Sequence, residues 1–183
     1  MTGPINRFRG EAGSLALDKI WITSLPMSTH TATVTWTRDG AIFTDRKYGR
    51  AHSWAFDGGA IVHAAASPAN VRVPLTDPAG VDPEEAFTAA LSSCHMLWFL
   101  DFAARGGFTV DNYSDVAECH CAKTEAGHDW VDRVTLRPGV VFSGKTVTDA
   151  EVDHLHHQAH EACHLANSVK SDIVITGAWR MAE

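Results

Sequence analysis

The sequence predicts an α+β fold, a mainly antiparallel sheet packed on two long helices. The order of patterns is the first reason: alternating segments, a long apolar helix, more alternating segments, a second helix, then a final strand. The two helix starts are the second. Asp82-Pro83-Glu84-Glu85 places an N-cap, a proline at the first helical position and an acidic residue three positions after the cap. Thr148-Asp149-Ala150-Glu151 is a second capping box. The third reason is size. A chain of 183 residues, 45% of them hydrophobic, can form one domain with a substantial core.

Residues 1–29 have no clear period and are punctuated by Pro4, Gly10, Gly13 and Pro26. They read as a partly ordered extension with a short strand at 20–22, and residues 30–183 read as the domain. In 30–37, Ala32, Val34 and Trp36 alternate with threonines, which predicts a strand closed by the turn Arg38-Asp39-Gly40. Ile42 and Phe43 are expected to open another. The sheet continues through 48–50 and 52–56, turns at Asp57-Gly58-Gly59, and runs on through 60–66. A proline-rich loop leads to the helix over 82–107, which Gly106 and Gly107 stop. Strands are expected at 108–113, 116–122 and 131–142, the last broken near Pro138-Gly139. The second helix is expected to run to about residue 170, followed by one strand over 172–181.

The first helix is apolar around most of its circumference, which marks a central helix rather than a surface one. The formal net charge of −7 excludes a general nucleic-acid or anionic-membrane surface. No apolar run reaches the roughly 20 residues of a membrane span. Without a continuous apolar signal core at the start, the expected location is the cytoplasm. In that reducing compartment Cys94, Cys119, Cys121 and Cys163 are core filler, metal ligands or redox residues rather than structural disulfides.

Cys94 and Cys163 each fall in the middle of a predicted helix. Ala90 and Ser93 thin the first helix near Cys94, and Ala159, Ala162 and Ala166 thin the second near Cys163. Such faces let helices approach closely enough for two thiols to meet. The competing reading is two small buried hydrophobes. The second helix also carries His154, His156, His157, His160 and His164, with 156, 160 and 164 expected on one face. Imidazoles so placed can bind zinc or copper, although the pattern HExxH is absent. Cys119 and Cys121 are expected to share a strand face, either as a redox pair or as two half-buried thiols. A reactive thiol needs a cation beside it. Arg38, Arg46, Arg50 and Arg72 precede the first helix, and Arg50 has aromatic neighbours in sequence, Tyr48 and Trp54.

The segments DPEEAFTAALSSCHMLWFL and HHQAHEACHLANSVK resemble the OsmC/Ohr family of thiol-dependent peroxidases, closer to the OsmC branch. The likeness covers about residues 30–179. It implies an OsmC-like fold in an intertwined homodimer, with no cofactor and no metal. It implies that Cys94 attacks an organic hydroperoxide and becomes a sulfenic acid, and that Cys163 then closes a disulfide with it. Glu84 matches the family's helix-start glutamate. Arg50 is the position assigned to its catalytic arginine, with Arg38 and Arg72 the other candidates. His164 stands where the family often has proline. Trp54, Trp98 and Phe99 are expected to line the substrate pocket. A dithiol, such as a lipoylated protein, would return both thiols. Ten residues of helix span about 15 Å, so Glu84 is expected to serve the Cys94 of the other protomer. The alternative is a non-enzymatic metal- or small-ligand-binding protein built on the histidine-rich helix.

Overall fold

A computed structural model describes residues 28–183, so the short strand expected at 20–22, with all but the end of the predicted extension, lies outside the described residues. Within the predicted domain the chain forms two compact units that divide between Pro83 and Glu84.

The first unit is a three-stranded antiparallel meander of β1 (Ala32–Thr35), β2 (His52–Phe56) and β3 (Ile61–Ala64), with β2 in the centre. Val34 and Val62 both pair with Trp54 across the sheet. Asp39 and Gly40 both take positive φ, and Ala41 N–H donates to the Arg38 carbonyl, the geometry of a type I′ turn. The strand expected at Ile42-Phe43 is instead a turn, and 48–50 is loop. Neither stretch joins the sheet, which is β1-β2-β3 alone. Gly80 passes directly over the end of β3. A Cβ there would stand 2.8 Å from the Ala65 Cβ, so only glycine fits.

The second unit opens with α1 (Pro83–Arg105), starting at the proline as the sequence predicts. Its end is a Schellman motif: Phe108 N–H reaches the Ala103 carbonyl, Gly107 N–H reaches Ala104, and Gly107 takes a φ of 71°. One stripe of α1 is buried, formed by Thr88, Leu91, His95, Phe99 and Ala103. The opposite side is left open, and Leu97 is 61% exposed.

Six strands follow in two sheets. One holds β4 (Thr109–Asp115), β7 (Pro138–Ser143) and β9 (Ala178–Met181), and the other β5 (Glu118–Lys123), β6 (Asp129–Leu136) and β8 (Asp172–Ile175). Counting the first unit, four strand pairings are antiparallel and two, β6 with β8 and β7 with β9, are parallel. The single strand expected at 172–181 is thus two strands in different sheets. The cause is its partner. The register Leu136 to Ile175 continues as Gly139 to Ala178, so the paired ribbons leave one sheet and enter the other together. At the crossing, a Cβ on Gly177 would lie 2.4 Å from the Pro138 carbonyl oxygen, and only glycine permits the approach.

Helix α2 (Asp149–Ala162) starts with the predicted capping box. Thr148 Oγ1 accepts from Glu151 N–H, and Glu151 Oε2 accepts from Thr148 N–H. It ends well short of residue 170. Past Ala162 the side chains bond to the backbone: Asn167 Nδ2 donates to the Glu161 carbonyl and Ser168 Oγ to that of His164. These bonds offer the chain an alternative to helix, and a 3-10 turn at Ala166–Ser168 replaces it. His164 therefore lies beyond the helix, and the expected stripe of His156, His160 and His164 does not exist.

Two cores result. Phe99, Ala103, Val140, Phe142, Val147, Val152, Leu155 and Ala159 join both helices to β7, and Leu91, Val134, Leu136 and Ile175 fill the second.

Candidate functional site

Cys94 lies half-buried at the middle of α1. Cys163 is the C-cap of α2 rather than a mid-helix residue, because the chain turns extended there, with ψ 108°. The turn is what delivers the thiol. Only 1% of Cys163 is exposed, and its sulfur accepts a hydrogen bond from the Ala166 N–H at 3.4 Å. Burial pushes the Cys163 thiol up to about 11, and its interaction with the Cys94 thiol pushes the same way, while the Ala166 N–H pulls back. At neutral pH Cys163 thus keeps its proton. The structure brings together the two cysteines that the helix faces singled out.

A buried histidine pair joins the same two helices. His95, next to Cys94, and His156 of α2 meet Nε2 to Nδ1 at 3.0 Å with their rings 9° from coplanar. Phe99 covers His156 at 4.4 Å between ring centroids. Burial holds both imidazoles neutral, pulling His95 down to about 3 and His156 to about 4. The sequence reading missed His95, because its partner is 61 residues away. Among the described residues no three His, Cys, Asp or Glu side chains converge as ligands.

Arg50 belongs to the first unit, where its guanidinium donates to the carbonyls of Tyr48 and, at 3.0 Å, Arg46. It also lies over the Tyr48 ring, 3.8 Å from the centroid. Its own N–H bonds the Leu75 carbonyl at 2.9 Å, so both ends of the residue are tied down. Beside it is a cavity of about 380 Å³ lined by Trp36, Phe43, Tyr48, Arg50, His52 and Ala66. Phe43 stacks on Tyr48 at 4.7 Å, and Trp36 meets Tyr48 edge-on at 5.3 Å while its Nε1 donates to the Gly49 carbonyl. The sequence reading took Trp36 for a strand residue and did not place Phe43 in a pocket. A run of aromatics around one arginine was the available signal.

The aromatics named as a pocket lie elsewhere. Trp54 is on β2, its ring 5.8 Å from that of His52. Trp98 stacks on Phe102 and meets the His164 ring edge-on, each at 5.8 Å. Phe99 is wholly buried in the core, between Tyr113, Phe142 and His156, with no surface to give a ligand. Glu84 stands at the start of α1, ten residues and about 15 Å of helix from its own Cys94. Its neighbours are Cys119, whose Sγ is 4.0 Å from the Glu84 carbonyl oxygen, and Cys121.

Residues 76–177 match the family model described as OsmC-like protein. Among solved structures, an OsmC-like protein of unknown function from Vibrio cholerae is 49% identical. The match covers 85% of this chain and 100% of that one, with a TM-score of 0.78. An organic hydroperoxide resistance protein from Elizabethkingia anophelis shares the fold at 18% identity, over 86% of this chain and 99% of that one, with a TM-score of 0.62. The organic hydroperoxide resistance protein OhrB of Bacillus subtilis does so at 16% identity, over 85% and 100%, with a TM-score of 0.55. No curated protein matches.

Proposed function

The chain belongs to the OsmC-like family, and from that premise we propose that it is a cysteine peroxidase that reduces organic hydroperoxides to alcohols, with hydrogen peroxide a second substrate, in defence against oxidative stress. The observation that carries the reading is the half-exposed Cys94 thiol beside the buried, protonated Cys163. The fold shared with two organic hydroperoxide resistance proteins supports it.

In this reading the Cys94 thiolate attacks the distal oxygen of ROOH. The O–O bond breaks, ROH leaves with a proton, and Cys94 becomes a sulfenic acid. Cys163 then attacks the Cys94 sulfur, water departs, and a Cys94–Cys163 disulfide remains. An external dithiol, lipoylated protein or another donor, returns both thiols by exchange. Cys163, buried beside the Cys94 thiol, is the resolving group in this reading, and it gives up its proton as it attacks. Arg50 is assigned to hold the Cys94 thiolate and the charge developing on the peroxide oxygens. Trp54 and Trp98 retain their assignment as apolar contacts for the organic group.

The working unit in this reading is a cytoplasmic homodimer. Ala90, Ser93 and Leu97 lie exposed on α1, on the side that carries Cys94. This small and apolar stripe is suited to a second copy. Glu84 would then act on the partner's site, since it cannot reach its own Cys94. No helix among the described residues is long and apolar enough to cross a membrane.

The test is peroxide turnover with a dithiol supplied, together with a count of thiols. One equivalent of peroxide should consume two thiols in the wild type. Cys163→Ser should stop after one turnover as sulfenic acid. Full steady-state activity in Cys94→Ser overturns the reading. Mixing Glu84→Ala with Cys94→Ser chains tests the dimer: activity should return in heterodimers, and proven heterodimers without activity overturn the trans assignment.

A further inference from the structure

Cys119 and Cys121 stand one residue apart on β5, an outer strand of its sheet, with Cys119 half-buried and Cys121 exposed. Alternate residues of a strand point to one face, and the two thiols do interact directly. In a flat strand the Cα atoms of such a pair are about 6.6 Å apart, at the outer limit for a disulfide. Here the pairing with β6 is not regular. The register of β5 on β6 shifts between His120 and Cys121, where β6 carries Asp132 as an extra residue. A bulge increases local twist, and closing a Cys119–Cys121 bond, which needs Cβ atoms about 3.5–4.5 Å apart, takes a further local twist of β5 beside it.

We propose that Cys119 and Cys121 form a second two-electron dithiol couple, a surface site for thiol–disulfide exchange that is chemically independent of Cys94 and Cys163. Its substrate class is a disulfide, small or carried by a protein. Cys121 is the entry point because it is exposed. Its thiolate attacks one sulfur of RSSR, the RS–SR bond breaks, and one RS⁻ leaves. Cys119 then attacks the Cys121 sulfur, expels the second RS⁻, and closes the Cys119–Cys121 bond. The two thiol protons pass to the two departing thiolates, so the disulfide is reduced by two electrons and the pair oxidised by two. Desolvation, Cys119 and then the Glu84 carboxylate hold the Cys121 thiol above its usual range, so exchange should quicken as pH rises.

The test uses the full chain carrying Cys94→Ser and Cys163→Ser together, which separates this couple from the peroxidase reading. It is treated with glutathione disulfide at alkaline pH and mapped by mass spectrometry. The expected product has lost two hydrogen atoms within the peptide holding both cysteines, and dithiothreitol restores it. Adding Cys119→Ser should instead trap a stable glutathione adduct on Cys121. Persistent adducts without ring closure in the first variant, or unmodified thiols, overturn the proposal. The same map on the wild-type chain guards against a folding defect: a Cys119–Cys121 bond there supports the couple, and its absence under these conditions counts against it.

Discussion

The two units contrast in what they bury. In the second, Phe99, Phe142, Leu91, Leu136 and a ring of valines are sealed from water in two cores. In the first, the buried apolar residues described are Ala64 and Ala65, while Val34 is 64% exposed and Ile61 75%. Each large side chain fully buried contributes about 1.5–3 kcal/mol, so among the described residues the second unit holds most of the hydrophobic stabilisation. The first is tied together by backbone bonds and by the Trp36, Phe43 and Tyr48 rings. The lesson concerns division of labour. The unit with the packed core fixes the two cysteines, and the thinly packed one presents an arginine, a cavity and uncovered apolar strands.

The largest effect should be on chemistry in the packed unit. Cys94→Ser should bring peroxide consumption down to the uncatalysed rate while circular dichroism stays unchanged. Retained turnover would show that the cysteine pair is structural.

Next in size is Phe99→Ala. It should destabilise the protein by about 3–5 kcal/mol in urea unfolding, the usual cost of removing a buried aromatic ring. A much smaller loss would mean that the second unit is less well packed than the contrast requires.

Arg50→Ala should slow the first step by about 100-fold, the scale of losing one charge-stabilising donor, with little change in stability. Stopped-flow oxidation of Cys94 measures it. If Arg38→Ala or Arg72→Ala has that effect instead, the mechanism stands and the assignment of Arg50 falls.

The histidine pair makes the packed unit sensitive to acid. His95 and His156 titrate at about 3 and 4 in the fold and near 6.5 when unfolded. Folded pKa values below the unfolded one mean that the unfolded chain binds the protons first. Their stabilising effect is present above about pH 6.5 and lost as pH falls toward 4. The loss is about 1.4 kcal/mol per pH unit for each histidine in that window. Urea midpoints measured from pH 7.5 to 4.5 test this, and a His95→Gln/His156→Gln variant should show a shallower slope.

Smallest is Val34→Ala, expected to change stability by under about 0.5 kcal/mol at a protein concentration where chains are separate. A cost that grows with protein concentration would show that a second copy covers the sheet, and sedimentation velocity would identify the dimer.

Local signals were read correctly wherever one residue type decides a local conformation. Pro83 opens α1, Gly107 closes it by taking positive φ, and Thr148 with Glu151 caps α2. Alternation located β1, β2 and β3 to within a few residues. These features depend on neighbours three or four positions away, so they are legible in the chain itself. Tertiary structure decided the rest. The stop of helix α2 at Ala162 is the exception, a local signal left unread: Asn167 and Ser168 turn back onto the backbone six and four positions earlier, which moves Cys163 from a helix interior to a cap. The last strand divides in two because Gly177 must cross Pro138 where the paired ribbon changes sheets. Helical periodicity marks His95 as inward-facing but cannot say that another imidazole will meet it. Such partners are set by packing between elements far apart in sequence, where no local propensity reaches.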